Sequence, residues 1–187
     1  MTRSPTSKQL GFADWLSGLV AKEDRAALAA LRRGLLLDEE RLFELYAVVP
    51  PSFLAGLKPR EERLYLTVAS LFAYHPCSFS PDELVERRRN LGESLRLLAE
   101  AEQPPDNLPD ELLPDPLKRR TEALLAAPRD ELSGHLRQIT GLLKTKEVPV
   151  DWAQLLGDLS AWEWEGHPVQ WQWGRSFYID QHEKEGE

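Results

Sequence analysis

The sequence predicts an all-α fold, and three observations predict it. Leu-rich amphipathic runs repeat at spacings of three and four; β-branched residues form few clusters and nothing alternates apolar with polar; fourteen prolines punctuate the runs. At 187 residues the chain is long enough to bury a real core. The Pro- and acid-rich run Gln103 to Pro116 reads as a linker, so two small helical domains are expected, 1–105 and 106–187, the second a four-helix bundle.

Residues 1–8 read as a flexible tail. Phe12, Trp15, Leu16 and Leu19 mark a first helix, and Ala26 to Arg33 a second, stopped by Gly34. Leu42, Phe43, Tyr46 and Val49 mark a third, ended by Pro50 and Pro51, after which 51–59 reads as a loop. Glu61 to Tyr74 is the fourth, with Leu64, Val68, Leu71 and Phe72 inward and His75 as a capping or surface residue. Ser80, Pro81 and Glu83 spell a capping box that opens a long helix with Leu84, Leu91, Leu95 and Leu98 buried. Arg88 interrupts that stripe, and Arg87, Arg88 and Arg89 on a helix fan out around its axis. Beyond the linker, helices are predicted over 116–127, 130–144, 151–162 and 169–178, with Asp151 capping the third. Of the six tryptophans, Trp152, Trp162 and Trp171 are expected in the core, leaving one member of each pair 162/164 and 171/173 exposed.

No catalytic set assembles from these residues. There is no Gly-rich phosphate loop, no His-Glu-x-x-His, and no Ser in a nucleophile elbow. His75, His135, His167 and His182 lack metal-ligand spacing, and the lone Cys77 builds neither a disulfide nor a metal cluster. No apolar run is long enough to span a membrane, and the first residues lack a signal-peptide pattern, which points to the cytoplasm. The expectation is a binder without cofactor or metal, not an enzyme.

Charge indicates where a partner would lie. The net charge of −8 is concentrated in 100–115, with six acids and no base, and in 180–187, with four acids and one Lys, leaving the remaining chain near +1. Between Pro116 and Val150 seven bases meet four acids. Arg137 and Lys144, seven residues apart, share a helix face away from the Leu stripe, and Lys146 follows at the helix end. Lys118, Arg119 and Arg120 open the preceding helix; Arg32 and Arg33 close the second helix, where the macrodipole alone would also favour them. Lys58, Arg60 and Arg63 gather at the start of the fourth helix, where the dipole opposes cations, so a partner anion or pairing with Glu61 and Glu62 is needed to explain them. Such bases fit a phosphate track, which adds salt-dependent affinity without sequence preference; a solvated face is the competing account.

The run LRQITGLLKTKEVPVDWAQLLGDLSAW followed by VQWQWGRSFY resembles the C-terminal signature of the CasB family, the small subunit of the type I-E CRISPR surveillance complex Cascade. Weaker echoes are Leu31-Arg32-Arg33, Asn90-Leu91-Gly92-Glu93-Ser94-Leu95 and Lys118-Arg119-Arg120. The resemblance implies a non-catalytic, all-α subunit in antiviral defence, present as paired copies beside other Cascade subunits, CRISPR RNA and target DNA. It also implies that the protein helps hold single-stranded nucleic acid, including the displaced non-target strand. The nucleic-acid-binding candidates are Arg32, Arg33, Arg63, Lys118, Arg119, Arg120, Arg137, Lys144 and Lys146, and of these the resemblance aligns Arg33, Arg120, Arg137 and Lys144 with basic positions of the family's motifs. Gly141, Gln170 and Gln172 stand where the family often has bases, so this surface is expected to be weaker. The alternative is a protein-interaction subunit or helical adaptor that does not itself touch nucleic acid.

Overall fold

The computed structural model describes residues 4–36, 39–102 and 115–179. Ten α-helices form among them and no strand; one isolated bridge pairs Ser78 with Val150. The predicted boundary at 105/106 lies outside the described residues.

Helix α1 (Ser7–Ala21) opens on a reciprocal cap: Gln9 N donates to Thr6 Oγ1 at 3.3 Å and Thr6 N to Gln9 Oε1 at 2.8 Å. Order therefore begins inside the expected tail. Helix α2 (Arg25–Arg33) is capped by Asp24. Gly34 ends it with right-handed torsions rather than a left-handed cap. Its lack of a side chain serves packing instead, because a Cβ there would fall 2.8 Å from Leu45 Cδ1 and closer still to Ser70 Oγ. The predicted third helix is a 3₁₀ segment, Glu39–Ala47. Its shorter period turns Leu42 and Leu45 inward and leaves Phe43 and Tyr46 exposed, correcting the predicted apolar stripe. One helical turn, α3 (Pro51–Leu54), occupies part of the expected loop, since Pro51 presets helical torsion at the first position.

Helix α4 (Pro59–Tyr74) is buried along Tyr65 to Ala73. His75 caps its end but is 3% exposed, not a surface group: its Nε2–H donates to Val148 O at 2.7 Å, and burial lowers its pKa. Helix α5 (Pro81–Glu86) carries the predicted capping box. The long helix expected from it is broken, however, by four non-helical residues, and α6 (Leu91–Glu102) restarts on a reciprocal cap of its own between Asn90 and Glu93, both bonds 3.2 Å.

The break has an electrostatic cause. With Arg87 extended, the three arginines converge instead of fanning out: Arg87 grips the buried carboxylate of Glu93 at 2.6 and 3.1 Å, Arg89 reaches it at 3.2 Å, and Arg88 pairs with buried Asp151. A buried carboxylate needs paired cations and several donors, and a continuous helix would deliver one arginine where this segment delivers two.

The C-terminal part comprises α7 (Asp115–Ala126), a 3₁₀ turn (Arg129–Glu131), α8 (Leu132–Thr145), α9 (Trp152–Ser160) and α10 (Pro168–Tyr178). Asp151 caps α9 as expected, accepting from Gln154 N at 3.0 Å. Helix α9 is buried from Trp152 to Leu159 and sits between α1 and α4; α8 packs on α4, α6 and α7, and α10 on α6 and α7. Gly92 lets α6 touch α10: a Cβ there would stand 2.8 Å from Trp173 C and Cα, and closer to its oxygen. Trp152, Trp162 and Trp173 are core. The expectation for Trp171 is overturned. Val169, Trp173, Ser176 and Phe177 form the inward stripe of α10, which puts Trp171 on the opposite side, 77% exposed.

One buried acid remains among these tryptophans. Asp158, on α9, accepts from Trp173 Nε1 and from Gln154 Nε2, each at 2.7 Å. Burial outweighs those bonds and pushes its carboxyl up to about 6.

Candidate nucleic-acid interface

Three helices meet at one junction, where the ends of α2 and α4 lie beside α8. Leu35, just past α2, offers its carbonyl to Arg137 Nη1 at 2.8 Å; Ala73, near the end of α4, accepts from Arg32 Nε at 3.1 Å; and Tyr74 lies under Lys144, whose Nζ is 4.1 Å from the ring centroid. These contacts bring Arg32, Arg137 and Lys144 together, with Arg33 in the same last turn of α2. All four are exposed.

Their partners matter as much as their positions. None of the four forms an ion pair among the described residues; Arg32, Arg137 and Lys144 are held instead by backbone carbonyls and one aromatic face. A guanidinium has five donors and each contact uses one, so Arg32 and Arg137 keep their charge and most of their donors while their reach is restrained. Lys144 is exposed and Tyr74 half-buried, so the cation–ring contact contributes on the order of 1 kcal/mol, and the ammonium keeps its positive charge. Side chains fixed in this way lose less rotamer entropy on binding.

Other bases are consumed internally. Arg87, Arg88 and Arg89 serve Glu93 and Asp151, and Arg96 lies 3.7 Å from Glu100. The remaining candidates are placed as follows. Lys118, Arg119 and Arg120 are exposed on α7, which packs on α8, and Lys146 is exposed at the α8 end. Arg63 is not at the junction; it lies eleven residues before Tyr74 on α4, about 16 Å away by helical rise. Sequence reading does not find Arg60 and Arg129 as partners of one acid. The signal is faint, since both meet Glu163 from different elements, and even the nearer of them, Arg129, is 34 positions away. Among the described residues no group of His, Cys, Asp or Glu is arranged to hold a metal ion, and no helix is long and apolar enough to cross a membrane.

A family model described as CRISPR-associated protein Cse2 matches residues 27–178. The chain belongs to the Cse2 family. A Cse2 protein of Thermus thermophilus is 31% identical over 170 residues, covering 89% of this chain and 88% of its own. The crystal structure of CasB from Thermus thermophilus superposes with a TM-score of 0.70 at 29% identity, covering 94% of this chain and 99% of that one. A chain of a CRISPR RNA-guided surveillance complex gives a TM-score of 0.70 at 25% identity, with 91% of each chain covered. The CasB resemblance carried by the C-terminal run is thus a family relation across most of the chain. Within this Cse2 chain, Gly141 sits on α8 beside the junction, where an added Cβ would lie 3.8 Å from Tyr74 Oη, an ordinary contact.

Proposed function

We propose that this Cse2 chain is a non-catalytic small subunit of a Cascade-type surveillance complex. It holds single-stranded nucleic acid, in particular the displaced strand of target DNA, along a cationic track centred on the α2–α4–α8 junction and extended by Arg120 on α7. One observation carries the reading: Arg32, Arg137 and Lys144 are restrained by carbonyls and a ring, and among the described residues no carboxylate pairs with them. Phosphate contacts of this kind position a strand and read no sequence. Other subunits and CRISPR RNA complete the assembly, in which the chain takes its place as paired copies in the cytoplasm.

The test is titration of a short oligothymidylate against salt. The variant Arg120→Ala/Arg137→Ala/Lys144→Ala is expected to bind at least roughly tenfold more weakly, with a salt slope shallower by about 2, from about 0.7 per lost phosphate contact. Unchanged affinity and slope would remove the reading.

A second reading, contact with a neighbouring subunit, is favoured by the outer side of α10. There Trp171, Tyr178 and Ile179 stand exposed beside Leu125 and Gly174, lining an open groove. Under that reading Trp171→Ala/Tyr178→Ala fails to assemble on size exclusion of the reconstituted complex, while the triple variant keeps the strand.

Gly141→Arg should move the other way. It restores a base at the junction and replaces a helix-interior glycine, so strand affinity is expected to rise with a salt slope steeper by about 0.7, and stability by about 0.8 kcal/mol. Salt titration and a denaturant melt check the two effects separately.

A further inference from the structure

The cations at the start of α4 are not explained by their local sequence. The macrodipole opposes them, and the two neighbouring acids are occupied: Glu61 accepts from Lys58 N at 3.0 Å, and Glu62 accepts from Tyr46 Oη. Arg60 instead reaches across to Glu163, in the turn between α9 and α10. Arg129, from the 3₁₀ turn before α8, approaches the same Oε2 at 3.5 Å and is anchored by Leu159 O at the same distance. Arg63 lines the cleft beside them, as does Thr67, and forms no ion pair among the described residues. The cleft holds about 370 Å³.

Two guanidiniums thus converge on one carboxylate oxygen, with a third beside them. Their forked donors match phosphate oxygens better than they match a single carboxylate oxygen. Glu163 and Arg60 are the movable members, with side chains 47% and 54% exposed, whereas that of Arg129 is 14% exposed and stays in the cleft wall. With Glu163 turned to solvent, three arginines and one acid, Asp130, remain among the described residues that line the cleft.

We propose that this cleft is a phosphate-binding site whose resting occupant is the Glu163 carboxylate, displaced when a phosphate enters. The inference rests on the strand-binding reading in one respect: it takes the entering phosphate to be a phosphodiester of the bound strand, about 16 Å from the junction along α4. The exchange is reversible and breaks no covalent bond. It makes Glu163 an internal competitor, so removing its charge should strengthen binding, which a merely structural ion pair would not do.

The experiment compares wild type, Glu163→Gln, Arg63→Ala and the double variant. Oligothymidylate affinity is measured against salt, and pyrophosphate is titrated separately while the Thr67 amide is followed by NMR. Glu163→Gln is expected to raise strand affinity roughly threefold or more with a steeper salt slope, and Arg63→Ala to cancel that gain. Pyrophosphate should shift Thr67 more strongly in Glu163→Gln than in wild type, and weakly in either Arg63→Ala background. If Glu163→Gln binds the strand as wild type does while the junction triple variant has lost it, this inference falls and the strand reading stands. If no variant binds the strand, that reading falls and Thr67 alone decides the cleft: a pyrophosphate shift removed by Arg63→Ala supports a phosphate site, and silence overturns it.

Discussion

Gly92→Ala is expected to destabilise this Cse2 chain by about 2 kcal/mol or more, although it places a better helix former inside α6. The favourable part is intrinsic propensity, about 1 kcal/mol. Against it stands a methyl group placed 2.8 Å from the backbone carbon atoms of Trp173 and closer to its oxygen. Backbone cannot rotate aside as a side chain can, so α6 and α10 must separate, and overpacking of this kind costs about 1–3 kcal/mol and occasionally more. Separation also stretches the 2.9 Å bond from Asn90 Nδ2 to Ser176 Oγ and loosens the packing around Trp173, which is fully buried. A thermal melt should show the midpoint falling by about 4–8 °C. A melt at or above the wild-type midpoint would mean that the two helices have room to spare.

Asp158 should make stability fall as pH rises. Its carboxyl titrates near 6 in the fold against an ordinary 3.8, so between those values the folded chain holds a proton that the unfolded chain has released. The contribution is fully present below about pH 4 and is lost as pH climbs through 6. The shift corresponds to about 3 kcal/mol. Neighbouring Asp151, also raised by burial, tilts the wild-type curve the same way, so the clean quantity is a difference. Asp158→Asn removes the titration at one site while forfeiting part of the pairing with Trp173 and Gln154. Denaturant melts at about pH 4 and pH 7 should show the variant gaining about 3 kcal/mol relative to wild type between the two. A constant gap would show that Asp158 stays ionised throughout.

The sequence makes the helices legible where one device decides each boundary. Ser80 to Glu83 and Asp151 act within a single turn, and both helix starts form as predicted, although the helix that Ser80 opens ends at Glu86. What escapes a sequence reading depends on residues far apart in the chain. Arg88 looks like a flaw in a Leu stripe until Asp151, sixty-three positions later, is placed beside it. The Asn90–Glu93 cap is present as a spacing, but a continuous Leu pattern conceals it. Trp171 and Trp173 are two steps apart on a helix only about three turns long, and which of them faces inward is set by the α6 contact at Gly92, not by composition. The candidate interface divides in the same way. Arg137 and Lys144 share a helix face by simple spacing, whereas their restraint by Leu35 and Tyr74 needs the tertiary fold.

The enclosure of α9 bears on how the protein is made. Gln9 on α1 meets Ser160 at the end of α9, at 3.4 Å and across 151 positions. During synthesis, α1 and α4 emerge long before α9, which packs on both and sets Trp152 edge-on against Phe72. The nascent chain therefore carries a bare greasy surface until α9 has left the ribosome, and closure over such a span is slow. Aggregation during translation, more than unfolding afterwards, is the hazard this topology sets for the cell.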